Sequence, residues 1–174
     1  GLYNGAAVVI DGRVAGIALK QNLAGDGVHY EPRWFRAWPR GHRSVVNVGG
    51  AAVPVGDLLF EIGGVRLGVE ICEDAWVADR PGIRLARAAT DIIVSPCASH
   101  FAFGKAALRE RIVTESARSL GCAYAYTNLL GNEAGRMIYD GDRLIAVNGA
   151  VVARGRRLTF DEVALTSAVV DLDG

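Results

Sequence analysis

No apolar run in this 174-residue chain approaches the length of about 20 residues that a membrane-crossing helix needs. Nor does its N-terminal stretch have the order of charged, apolar and small residues that marks a secretory leader. Neither sign of charge is in excess, since 19 basic residues balance 19 acidic ones. A neutral balance lacks the electrostatic footprint of nucleic-acid or anionic-membrane binding, so neither partner is expected. Cysteine is scarce: Cys72, Cys97 and Cys122 are an odd number without the paired spacing of metal ligands. That argues against both a disulfide framework and a metal site, and reduced thiols fit a cytoplasmic setting. No Gly-x-Gly-x-x-Gly follows a strand and no P-loop occurs, so no nucleotide site is expected within these residues. Internal repeats and low-complexity segments are also missing.

Against these absences stands a hydrophobic fraction of 51%, which fits one well-packed domain at this length. Two apolar runs, 6–10 and 14–19, flank Asp11-Gly12 and read as a hairpin closed by Lys20. A loop through Tyr30-Glu31-Pro32-Arg33-Trp34-Phe35 follows, and the polar, basic stretch 39–50 reads as exposed loop. Residues 51–55, 58–62 and 65–71 alternate or run apolar as strands, the last two joined at Gly63-Gly64. Residues 81–89 are expected as a helix with Ile83, Leu85, Ala86 and Ala89 inward, and 91–96 as a buried strand. Residues 106–120 carry a helical stripe of Leu108, Ile112, Val113 and Ala117, stopped by Gly121. A strand is expected at 122–128, a loop at 129–142, a hairpin at 143–153 around Asn148-Gly149, and a last strand at 165–172. The whole reads as α/β with a mixed sheet covered by helices. The chain opens at Gly1 on a strand already under way and closes near another strand's end, which reads as part of a longer protein.

Chemistry concentrates in Gly68-Val69-Glu70-Ile71-Cys72-Glu73-Asp74-Ala75-Trp76. A buried strand ends on a thiol where the chain turns, which is where scaffolds present reactive groups. Taken alone, Cys72 reads more readily as an inert core thiol and Lys20 as a solvated strand end. The ordered set changes that balance. Lys20-Gln21-Asn22-Leu23, Tyr30-Glu31-Pro32-Arg33-Trp34-Phe35, the Cys72 segment, Asn128-Leu129-Leu130-Gly131 and Tyr139-Asp140-Gly141-Asp142-Arg143-Leu144 together resemble the nitrilase superfamily of carbon–nitrogen hydrolases. Within it they are most similar to the glutaminase domain of glutamine-dependent NAD(+) synthetases, over essentially the whole chain.

The resemblance implies an αββα sandwich of mixed sheets flanked by helices, incomplete at its N-terminus, with residues 1–174 as a partial glutamine amidohydrolase domain. It implies that Cys72 attacks the glutamine carboxamide to give a thioester and ammonia. Lys20 and the backbone N–H after Cys72 would stabilise the oxyanion, with Lys20 also favouring the thiolate. Glu31 would position Lys20 or the substrate. Trp76, Ser99 and Lys105 would hold glutamine as a wall, a polar contact and a cation for the α-carboxylate. Asp74 would fix the turn rather than act as a base, and His100 stays a loop residue. The family's general-base glutamate falls before Gly1, so the isolated piece is expected to be inactive and its parent a glutaminase. No cofactor is expected in this domain. ATP and Mg belong to a C-terminal NAD synthetase domain beyond Gly174, the expected partner together with glutamine and further copies in a homo-oligomer. Two other readings remain open on the residues alone: a stand-alone amidase for another small amide, and a non-catalytic binding domain that keeps the fold.

Overall fold

Among the described residues, twelve strands and two α-helices follow one another in an order that alternates hairpins with parallel crossovers. The computed structural model describes residues 1–25, 28–133 and 136–172. The expected loop positions 26–27 and 134–135, and the last two residues, lie outside the described residues. β1 (Gly5–Ile10), β2 (Arg13–Leu19), β3 (Arg43–Val48) and β4 (Ala51–Gly56) make a four-stranded sheet in the order β1-β2-β4-β3. β5 (Phe60–Ile62), β6 (Val65–Val69), β7 (Ile92–Cys97), β8 (Ala123–Asn128), β11 (Arg143–Val147) and β12 (Ala150–Arg154) make a six-stranded one, ordered β12-β11-β8-β7-β6-β5. β9 (Leu130–Glu133) and β10 (Met137–Asp140) pair separately. The predicted turns hold: Asp11-Gly12 and Asn148-Gly149 each place two successive residues at positive φ, as two-residue hairpin turns require.

β6, β7 and β8 are parallel, and the chain crosses between them through α1 (Pro81–Arg87) and α2 (Lys105–Leu120). Both helices lie on the six-stranded sheet, where Leu85, Val113 and Ala117 close a core over Ile93, Tyr124 and Leu144. A second core between the two sheets holds Ala18, Phe60, Val69 and Ile71, with Ala6 and Val8 from β1. The sheets approach closely: a Cβ at Gly16 would stand 2.8 Å from Phe60 Cε1. The layers run helix–sheet–sheet, three of the four expected, and Val9 and Val45 on the four-stranded sheet are exposed.

Several expectations are corrected. Residues 43–48 form a strand rather than loop; all six are exposed, so no burial pattern marks them. The expected loop 129–142 contains the β9–β10 hairpin. Residues 165–172 alternate half-buried and exposed but have no ladder partner, so the alternation there is not a strand. The first helix ends at Arg87, short of Ala89; Ile83 and Ala89 are exposed, while Pro81, Gly82 and Leu85 are buried. In α2 the stripe is rotated, with Leu108 exposed and Arg109 in the buried face beside Val113 and Ala117. An arginine takes that place because its partners are buried with it. Nη1 donates to Asp140 at 2.5 Å and lies 3.7 Å from Asp142, and Nη2 donates to the Ser99 and His100 carbonyls at 2.9 and 3.2 Å. Asn128 completes this support, accepting from Ser99 N at 2.8 Å and donating to Asp140 at 2.8 Å.

Removing one partner from such a cluster leaves buried carboxylates uncompensated. Arg109→Met is therefore expected to lower stability by about 3–5 kcal/mol, read as a shift in the urea midpoint.

Candidate active site

The C-terminal ends of β2, β6 and β7 converge, and each delivers one predicted or newly visible group. Lys20 follows β2 and is only 2% exposed. Its backbone is fixed on both sides, N–H to the Asn4 carbonyl and C=O to the Trp38 N–H, each at 2.9 Å. Its Nζ donates to Glu31 Oε2 at 2.5 Å. Glu31 opens a 3-10 turn (Glu31–Arg33) and is held in turn by Ala24 N–H at 2.7 Å and Asn4 Nδ2 at 3.1 Å. The buried lysine is thus paired with a carboxylate that is itself held by two further hydrogen bonds, as a buried ion pair requires.

Cys72, separated from the end of β6 by two residues, begins a 3-10 turn (Cys72–Ala75) and adopts φ of 49°, a left-handed conformation unusual for a residue with a side chain. The turn is fixed by Asp74. Its carboxylate accepts from Ile71 N–H within the turn, and from Gln21 N–H, Asn22 N–H and Asn22 Nδ2 at 3.1, 2.7 and 3.0 Å. Burial raises the Asp74 carboxyl above its ordinary value, while these bonds pull the other way. Asp74 therefore fixes the turn, as the sequence implies.

The Cys72 thiol is brought down to about 7. The hydrogen bond from Cys97 is the largest influence; burial opposes it, and the Lys20 charge and the Ala98 backbone assist. The thiolate is therefore well populated at neutral pH, unlike Cys122, which burial pushes up to about 11. Cys72 opens into a cavity of about 290 Å³ lined by Lys20, Glu31, His29 and Cys97. A second cavity of about 390 Å³ continues past Cys72 to Glu73, Trp76, Ser99, His100 and Lys105.

The structure thus brings together all six residues predicted for the site: Cys72, Lys20 and Glu31 on one side, Trp76, Ser99 and Lys105 on the other. Lys105 Nζ stands 6.0 Å over the Trp76 ring and 3.4 Å from His100 Nδ1. His100, read from sequence as a plain loop residue, forms part of the wall and lies 2.9 Å from His29 Nε2. His29 and Cys97 were not singled out. Cys97 had a usable signal, since β7 runs from Ile92 to Cys97 in register beside the strand that leads from Leu67 to Cys72. Among the described residues, no group of three or more His, Cys, Asp or Glu is placed to hold a metal ion, and no helix is long and apolar enough to cross a membrane.

Comparison with known proteins agrees with this arrangement. No protein-family model matches the chain. The glutamine-dependent NAD(+) synthetase of Oryza sativa subsp. indica is 33% identical over 98% of this chain and 24% of its own length. The crystal structure of a glutamine-dependent NAD(+) synthetase from Cytophaga hutchinsonii superposes with a TM-score of 0.85 at 43% identity, covering 95% of this chain and 27% of that one. A carbon–nitrogen hydrolase from Helicobacter pylori shares the fold, with a TM-score of 0.76 at 20% identity over 95% of this chain and 56% of that one. The chain spans about a quarter of the length of the curated synthetases it matches. It is similar along nearly its whole length to one region of the glutamine-dependent NAD(+) synthetases, and it shares its fold with a carbon–nitrogen hydrolase.

Proposed function

We propose that these residues are the glutamine-hydrolysing part of a glutamine-dependent NAD(+) synthetase. The observation that carries the reading is a thiol at about 7 on a left-handed turn, beside a buried lysine clamped by Glu31, in a chain matched end to end by synthetases. The Cys72 thiolate attacks the carboxamide carbon, an S–C bond forms, and negative charge grows on the amide oxygen. Lys20 and the Glu73 backbone N–H receive that charge without rearranging, because Lys20 is already fixed by its pairing. Collapse of the tetrahedral species breaks the C–N bond and releases ammonia; water then cleaves the thioester to glutamate. The cavity beyond Cys72, with Trp76, Ser99 and Lys105, is the proposed seat of the glutamine amino-acid end, Lys105 meeting the α-carboxylate.

Glu31 is committed to Lys20, Asn4 and Ala24, so it serves as a clamp and not as the proton carrier. The resemblance puts the general base upstream of Gly1, and turnover is therefore proposed for the parent protein. There the ammonia would amidate deamido-NAD in an ATP- and Mg-using synthetase domain, in a cytoplasmic homo-oligomer.

Three outcomes test the reading. In the parent protein, Cys72→Ala abolishes ammonia release from glutamine, whereas asparagine and simple amides are poor substrates of the unmodified enzyme; Cys72-dependent turnover of other amides with glutamine ignored points instead to a general amidase. Because only the thiolate attacks, and its thiol is lowered to about 7, kcat/KM for glutamine rises with pH through that value and levels above it. Lys20→Met lowers kcat by about 100- to 1000-fold, the typical effect of losing one oxyanion donor, and Lys20→Arg does not restore it because the larger, planar guanidinium spreads its charge and cannot set a compact ammonium at the same point.

A further inference from the structure

Lys105 stands where helix physics alone would not put a cation. It is the first residue of α2, after Gly104 at φ of 78°, and its N–H donates to the Ala102 carbonyl at 3.2 Å. The partial positive charge of a helix N-terminus opposes an ammonium there. Two side chains outside the helix nevertheless take up its Nζ: the Trp76 ring face at 6.0 Å and His100 Nδ1 at 3.4 Å. Both contacts orient the ammonium and neither removes its charge. All three residues line the second cavity, which also reaches Cys72.

Hydrogen-bond logic assigns the tautomer of His100. A lysine ammonium has donors only, so Nδ1 presents its lone pair and the ring proton is on Nε2. His29 Nε2, 2.9 Å from the same Nδ1, is then also a donor. The two imidazoles are tilted by 39° with their centroids 5.0 Å apart, so His29 braces the ring that Lys105 leans on. Behind that ring the backbone is anchored. Arg109 Nη2 donates to the His100 carbonyl at 3.2 Å, and the Phe101 N–H donates to the Ile138 carbonyl at 2.6 Å. A long, rotamer-rich lysine is thus referred, through one imidazole, to a backbone fixed by the buried Arg109 cluster.

We propose that His100 is a specificity-determining positioning residue: its Nδ1 lone pair holds the Lys105 ammonium over Trp76 in the second cavity, so that the site selects small amides carrying a carboxylate away from the scissile amide. His100 makes and breaks no bond in this role. Without its lone pair the Lys105 side chain samples several rotamers, and ordering it again on binding a carboxylate consumes part of the binding energy. An amide that lacks the carboxylate does not call on Lys105 and does not feel the loss. The inference rests on the glutamine seat proposed above and adds to it the residue that sets Lys105.

The test reads binding instead of turnover. Titration calorimetry is carried out on the full-length protein carrying Cys72→Ala, with L-glutamine and with γ-aminobutyramide, the same molecule without its carboxylate. The ratio of the two affinities is the readout, because a loss of packing alone weakens both ligands alike. His100→Phe keeps a ring and removes the acceptor, and its ratio falls by about three- to tenfold, the range for immobilising one long side chain. His100→Asn sets an amide oxygen near the place of Nδ1 and stays within about twofold of the parent. Adding His100→Phe to Lys105→Met lowers the ratio no further than Lys105→Met alone, since His100 acts through Lys105. An unchanged ratio in His100→Phe overturns the proposal, and so does an equal weakening of both ligands. An Asn variant displaced as far as Phe, a fully additive loss in the double variant, or no binding of glutamine at all does the same. The expected ratios in a parent that releases no ammonia would sink the glutaminase reading and leave this inference standing. Ammonia release with a ratio indifferent to His100 would do the reverse.

Discussion

The Asp74 carboxylate bonds to both chain segments that carry reactive groups. It accepts from the backbone of Gln21 and Asn22, just past Lys20, and from Ile71, just before Cys72. Those segments leave different sheets, so nothing in either ladder fixes their distance. A carboxylate has about four acceptor positions and no donor, which suits it to gathering several N–H groups at one point. Burial works against its charge, and the convergent N–H groups compensate. The left-handed Cys72 is tolerated for the same reason: the turn around it is held by hydrogen bonds on both flanks, and local strain persists where the surroundings over-determine it.

A second balance acts on the thiol itself. Lys20 lowers it and Glu31 raises it, yet Glu31 is also the salt-bridge partner of this lysine at 2% exposure. Removing the carboxylate would not simply sharpen the nucleophile, since the ammonium would lose its partner in a site that water barely reaches. The clamp on Glu31 through Asn4 and Ala24 keeps the pair together and leaves Lys20 facing the cavity. On the opposite side, Arg109 carries the Ser99–His100 segment on its guanidinium, so the wall of the second cavity is anchored to the ionic cluster beneath.

Much of this was legible in the residues. Asp11-Gly12 and Asn148-Gly149 announced their hairpins because a two-residue turn needs positive φ. The ordered motifs, rather than the apolar run ending at Cys72 alone, singled out Cys72, Lys20, Glu31, Trp76, Ser99 and Lys105 before any geometry, and all six line the adjoining cavities. What escaped had physical reasons. The edge strand β3 buries none of its residues, so alternation has nothing to report. Residues 165–172 do alternate, but periodicity records which side chains touch the body and not whether the backbone has a partner. Arg109 displaced Leu108 from the buried stripe because its neighbours Asp140 and Asp142 lie some thirty residues away in sequence, beyond the reach of any helical period. Asn128 and Asp140 were recognised as motif members, and their work as a brace for Ser99 became visible only once they met.

Cys72 packs against both cores, the helix-covered one and the one between the sheets. Its two principal tuning groups come from opposite sides of that seam: Cys97 from the six-stranded sheet and Lys20 from the four-stranded one. The acidity of this one sulfur is therefore a gauge of how well the two sheets are docked. Neither sheet alone supplies the surroundings of this sulfur, so its chemistry belongs to the sandwich and not to either layer.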